Sequence, residues 1–362
     1  MEIDFHHTVT YVSARIAGFS HAEADIIAYS AQYVDDATSS GPVLFSNRAM
    51  YSRISSAHKN IDLGNMNNVE NHMTWLPFHF LPGNGGFPAG TDPGGNFINK
   101  IVCWPDSPVA RDMVAAAILD QDKPYSLHRL GIAMHIYADT WAHQGFSGVV
   151  HQINEVANAE EIGDTGVFSG SLQKFLNGIF GNALPPLGHA RANVLPDMPF
   201  LVWKYDNDRQ KAIPRNNTEL FCQAADALCL AMGRYRQKDP GAAVNGIGDG
   251  DMQKIRDLFH KLEIEDGEQR HSAWLDAIKA GAFSFGSEML DYAEDGKGSW
   301  KALALGTSKD LPVYKYKETF LTSNWKLFHD ALQQHRLTIL HDILPKYGIC
   351  AACRGPINRR DR

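Results

Sequence analysis

Cysteine is scarce in this chain, with five in 362 residues, and the five build no framework. Cys103, Cys222 and Cys229 are scattered among apolar neighbours, and Cys350-x-x-Cys353 is a lone pair beside a polar tail. Without a second such pair, neither a thiolate zinc site nor a disulfide scaffold is implied. Long apolar runs are missing too: no stretch approaches the roughly 20 residues that a membrane span needs. The opening Met-Glu-Ile-Asp-Phe-His-His has no basic n-region and no apolar h-region, so no cleavable secretory signal is expected. The expectation is a soluble protein, cytoplasmic or exported by a signal-independent route, secretion included. Basic tracts are absent before the extreme C-terminus and the formal net charge is −7, which disfavours nucleic acid as a partner. No P-loop, His-Glu-x-x-His or Gly-x-Ser-x-Gly occurs, which removes the usual support for an ATPase, a zincin protease or a serine lipase.

Histidine, by contrast, is plentiful, at sixteen. The informative segment is His135-Ile-Tyr-Ala-Asp139-Thr-Trp-Ala-His143, which reads H-x-x-x-D-x-x-x-H inside a helical pattern. Steps of four residues stack side chains along one stripe of a helix. At about 1.5 Å rise per residue, His135 and His143 stand roughly 12 Å apart. Bonds of about 2 Å cannot gather both around one ion. Asp139, midway and with two oxygens, reaches toward either, so the spacing suggests a polynuclear metal cluster. Leu127, Leu130, Met134, Tyr137 and Trp141 form a separate apolar stripe, predicting one face in a core and the other on a polar site. His128 falls almost in line with His135, two turns earlier.

Helical signals dominate elsewhere. Ser20-His-Ala-Glu23 makes a capping box for a helix to about Asp36. Ser107-Pro108 starts another with proline at the first helical position. Further helices are expected near 8–17, 217–236, 251–264, 270–293 and 317–346. Residues 75–106 and 181–216, rich in proline and aromatics or in proline alone, read as long functional loops. Strand-like runs are few. We therefore expect an all-α fold: one large helical catalytic domain over residues 1–349 and a polar, disordered tail over 350–362.

Further ligands are sought on the same logic. Asp35 shares a helix face with Ile27, Ala31 and Val34, so it points inward, whereas Asp36 turns aside; a buried carboxylate needs a partner or a metal. Asp4, His6 and His7 open the chain, and His58 follows a Tyr/Arg-rich turn. His151-Gln-Ile-Asn-Glu155 repeats the i, i+4 geometry, with His189 and Asp197 competing for the same role. His329, His335 and His341, spaced by six, are distributed around a helix and read as surface residues.

Taken together these residues resemble the ligand order of zinc-dependent phospholipases C, which share a helical, trinuclear-zinc architecture with S1/P1-type nucleases. More narrowly, the chain is similar to bacterial metallophospholipases C of the Pseudomonas fluorescens and Legionella type. The carriers are Asp4-Phe-His6, Tyr33-Val-Asp35-Asp36, Ser56-Ala-His58-Lys, Pro77-Phe-His79-Phe-Leu-Pro-Gly83, His135 to His143, Gly188-His189 and Pro196-Asp197. The resemblance implies two to three Zn2+ ions. His135, Asp139, Asp35 and His58 would hold one. Asp139 would bridge to a second on His6, with Asp4. His143 would hold the third with His151 and Glu155, or with His189. Secreted members use a mature N-terminal amine as a ligand, and no cleavage that would expose one is evident here.

Zinc lowers the pKa of a bound water and neutralises a phosphodiester's charge. The resemblance thus implies phospholipase C cleavage of phosphatidylcholine to diacylglycerol and phosphocholine, with Asp35 or Asp36 orienting the attacking hydroxide. The expected partner is a phospholipid met in transient contact with a membrane surface. Trp75, Leu76, Phe78, Phe80, Leu81, Phe87, Phe97 and Trp104 crowd the first loop, either as ordinary packing or as a rim that meets lipid or cages choline. The alternatives are a nuclease or other phosphodiesterase with the same core, and a protein whose zinc is purely structural. A helical HD-type phosphohydrolase would rest on His329-Asp330 and His341-Asp342.

Overall fold

Local sequence signals account for the helices that carry the site. The computed structural model describes residues 1–57, 68–163, 188, 192 and 194–350. A π-helical turn, Asp4–Val9, runs into α1 (Thr10–Ile16). Ser20 and Glu23 close the reciprocal capping box that starts α2 (His21–Asp36). A hairpin of β1 (Gly41–Leu44) and β2 (Met50–Arg53) follows, then α3 (Asn68–Phe78) and the short α4 (Ile98–Ile101). Ser107 caps α5 (Pro108–Leu119), with proline where the missing N–H costs nothing. The central helix is α6 (Ser126–Ala142), ended at His143. After β3 (Ala157–Glu161), β4 (Val202–Asp206) and β5 (Ile213–Asn216) come α7 (Asn217–Gln237), α8 (Asp249–Lys261), α9 (Gly267–Lys279), α10 (Trp300–Leu305) and α11 (Asn324–Leu337).

Helices α2, α5, α7 and α11 surround α6, and every residue from His128 to Ala142 is buried. The polar face of α6 therefore meets side chains of neighbouring segments, among them His6, His79 and Asp35. Gly131 permits the closest of these contacts. A Cβ there would lie 2.3 Å from the Ile27 carbonyl oxygen, so only glycine lets α2 and α6 cross at this separation. The crossing brings the end of α2, with Asp35, beside His135.

The all-α expectation is corrected. Helix makes up about 52% of the structure and strand 9%, in two small antiparallel sheets, so the class is mixed, though mostly helical. The three-stranded sheet, in the order β3-β4-β5, falls partly in the proline-rich stretch expected to be loop. Val202-Trp-Lys-Tyr-Asp206 alternates with period two, and Trp203 and Tyr205 turn inward to a second apolar cluster with Phe80, Phe146 and Leu201. The register sets Arg215 opposite Trp203. Its guanidinium then donates to the carbonyls of Trp141, Ala142 and Gln144 at 3.2, 2.7 and 3.0 Å, satisfying the end of α6.

His329 and His335 are also corrected: both are buried, and only His341 is exposed. Helix α11 is enclosed by α6, α10 and α3, so side chains well apart around it still meet protein. Among the described residues, no helix is long and apolar enough to cross a membrane. Residues 351–362 of the expected tail lie outside the described residues.

Candidate metal centre

Asp139 stands at the centre of a buried cluster, and its two oxygens face different partners. Oδ1 lies 2.9 Å from the Met1 ammonium and 3.3 Å from His6 Nε2. Oδ2 lies 3.4 Å from His135 Nε2, 3.6 Å from His143 Nδ1 and 3.7 Å from His79 Nδ1. Asp35 Oδ1 completes one side, 3.7 Å from His79 Nδ1 and 3.8 Å from His135 Nε2. The two ring nitrogens of His79 and His135 are 3.3 Å apart. Ligands held about 2.05 Å from a tetrahedral zinc are separated by about 3.3 Å, so these spacings are close to those of a zinc shell. The atoms of His6, His135 and Asp139, and those of Asp35, His79 and His135, form two groups within metal-binding distance.

The outer contacts fix which nitrogens face inward. His79 donates from Nε2 to the Ser56 carbonyl at 2.9 Å, leaving Nδ1 toward the cluster. His143 donates from Nδ1 to the His79 carbonyl at 2.7 Å, leaving Nε2 3.8 Å from Asp197 Oδ1. Such second contacts orient the ligands of metal sites. Among the described residues, neither ring nitrogen of His6 and not Nδ1 of His135 has a hydrogen-bond partner, although both side chains are buried. Of these atoms, His6 Nε2 is the one that faces the cluster, beside Asp139 Oδ1. His6 also stacks on His135, ring centroids 3.8 Å apart.

The electrostatics suit cations. Burial, with neighbouring positive charge, lowers His6 to about 3 and His135 to about 4, so both imidazoles are neutral, the form that binds metal. Burial, then the nearby Asp139 and Asp36 carboxylates, pushes Asp35 well above the usual carboxylate range. Burial would do the same to Asp139, but His143, the Met1 ammonium, His135 and His6 outweigh it and hold it well below. The ammonium itself, lowered by burial, is raised to about 11 by Asp139 and Asp197, 3.1 Å away on its other side. A positive charge thus already sits between the two carboxylates.

The remaining expected ligands are placed elsewhere or lie outside the described residues. Asp4 is buried, but its Oδ2 accepts from Arg270 Nε at 2.6 Å, and the same guanidinium holds Glu2. Asp36 turns away as expected. The Tyr292 hydroxyl donates to it, Gln32 donates to it at 3.2 Å, and burial raises it to about 6. His151 and Glu155 do not share a helical stripe. They flank a single 3-10 turn, and His151 Nδ1 accepts the Ile153 N–H as its cap. His128 bonds Asn324 at 3.2 Å, away from the cluster. His58 and His189 lie outside the described residues. Two further cluster residues are His79, present in the sequence only within the motif that carries the resemblance, and Asp197, one of the competing candidates. Of the apolar side chains expected in the first loop, Leu76, Phe78, Phe80 and Leu81 are buried, while Phe87, Phe97 and Trp104 are exposed. The chain matches the family of unknown function DUF6765 over residues 1–343, and so belongs to it. No curated protein and no solved structure matches it.

Proposed function

We propose that this DUF6765 chain is a zinc-dependent phosphodiester hydrolase, with phospholipase C cleavage of phosphatidylcholine as its activity and two to three Zn2+ ions as its cofactor. The observation that carries the reading is the buried convergence of His6, His79, His135 and Asp139 with Asp35, at separations close to those of a zinc shell. Asp35, His79, His135 and one oxygen of Asp139 would hold one ion. His6 and the other oxygen of Asp139 would hold a second, and His143 with Asp197 a third. Zinc supplies charge neutralisation for the phosphodiester and an acidified water. The Asp35 side chain is 33% exposed, whereas His135 and Asp139 are closed off. Asp35, the most accessible side chain of the cluster, would orient the attacking water. The exposed Phe87, Phe97 and Trp104 support transient contact with a lipid surface.

The test is phosphocholine release from phosphatidylcholine vesicles, run beside hydrolysis of single-stranded DNA, each with and without a chelator. Chelator-sensitive phosphocholine release is expected. Chelator-sensitive cleavage of DNA alone would move the assignment to a nuclease. Bound zinc with neither activity would make the metal structural.

A further inference from the structure

A cavity opens where α6 ends. It encloses about 600 Å³, within the range of small-molecule sites, and begins at Gln144 and Gly145, directly after His143. Phe87, Trp104, Tyr205 and Ile213 wall it, and its described lining includes Arg209 and Arg215 but no acidic residue. In a chain of net charge −7 that selection is unusual. The two arginines differ. Arg215 is buried and spent on the carbonyls that end α6. Arg209 is exposed, and its guanidinium has no ion pair or hydrogen bond among the described residues.

Trp104 is half exposed yet firmly held. The Gly83 N–H bonds the Val102 carbonyl at 2.9 Å, and the Cys103 N–H bonds the Phe146 carbonyl at 2.7 Å, which pins the backbone leading into it. A Cβ at Gly83 would lie 2.4 Å from Trp104 Cβ, and one at Gly86 3.1 Å from the indole Nε1, so the two glycines let Trp104 pack close. Among the described residues, an aromatic wall, an unpaired guanidinium and a lining without acid describe a site for a molecule that is apolar along its length and anionic at one end.

We propose that this groove binds a single-chain lipid with an anionic head, the alkyl chain lying along Phe87, Trp104, Tyr205 and Ile213 and the head on Arg209. The site is separate from the metal ligands. Calorimetric titration of the full chain with dodecyl phosphate, dodecyltrimethylammonium and inorganic phosphate tests it, whether or not the chain hydrolyses a phosphodiester. Dodecyl phosphate is expected to bind. Trp104→Ala and Arg209→Glu, both at exposed positions, are each expected to weaken it roughly tenfold, a shift of about 1.4 kcal/mol. Arg209→Lys should retain most of the affinity. Equal binding of the cationic amphiphile, or full competition by inorganic phosphate, would overturn the proposal. So would binding that Asp139→Asn abolishes and Trp104→Ala leaves intact, because that places the lipid at the metal ligands.

Discussion

Two neighbouring helices carry spaced, buried histidines to opposite ends. On α6, His135 and His143 converge with Asp139 on side chains from the N-terminal turn, from α2 and from the residue after α3. On α11, His335 points its Nε2 at the Pro77 carbonyl at 3.1 Å, and His329 packs edge-on against Trp325. Both sets are buried, and burial lowers His329 and His335 to about 3, as low as His6. Burial and a depressed pKa therefore do not separate a ligand from a structural histidine. Carboxylates do: α6 brings Asp139 and meets Asp35, whereas His335 meets a carbonyl that already satisfies it.

The sharpest way to break this contrast is a matched pair of substitutions. His79→Ala should strip at least one zinc equivalent and lower any hydrolysis by on the order of a hundredfold, since a ligand is lost outright. His335→Gln should leave zinc content unchanged, as read by elemental analysis, and cost about 1–3 kcal/mol in urea unfolding. Zinc loss in the second variant rather than the first would reverse the assignment of the two helices.

Next in size is the N-terminal clamp. Arg270→Met removes the guanidinium that pairs with the Asp4 carboxylate and with Glu2, both in or near the core. Stranding a buried charge costs about 3–5 kcal/mol, to be seen in the denaturation midpoint. Because Glu2 and Asp4 lie between Met1 and His6 in the chain, zinc content should fall as well.

A further test concerns pH. The unfolded histidine protonates near 6.5, and folded His335 only near 3. Between those values the unfolded chain binds more protons, so stability falls as pH drops from about 6.5 toward 3. His335→Gln should flatten that slope in denaturant midpoints measured across the same window. An unchanged slope would mean that His335 is not held neutral by the fold.

The sequence made some of this legible because the causes were local. Ser20 with Glu23 and Ser107 with Pro108 announced their helices, and the four-residue spacing on α6 announced a shared stripe. Asp35 was readable because Ile27, Ala31 and Val34 define the buried face it joins. What stayed hidden was set by distant contacts. His79 follows the proline-containing end of α3 with no periodicity of its own, and its role depends on Ser56 turning Nδ1 inward. Asp4 resembled a ligand until Arg270, 266 residues away, claimed it. His151 and Glu155 had helical spacing without a helix, and β4 was masked by the prolines around it despite its alternation.

The central claim is that Asp139 bridges more than one ion, and zinc stoichiometry of the wild-type chain and of Asp139→Asn tests it most directly. Two to three zinc ions per wild-type chain are expected, with more than one lost together in the variant, alongside loss of phosphocholine release. Fewer than two zinc ions in the wild type, or a fully metallated and active Asp139→Asn, would contradict it.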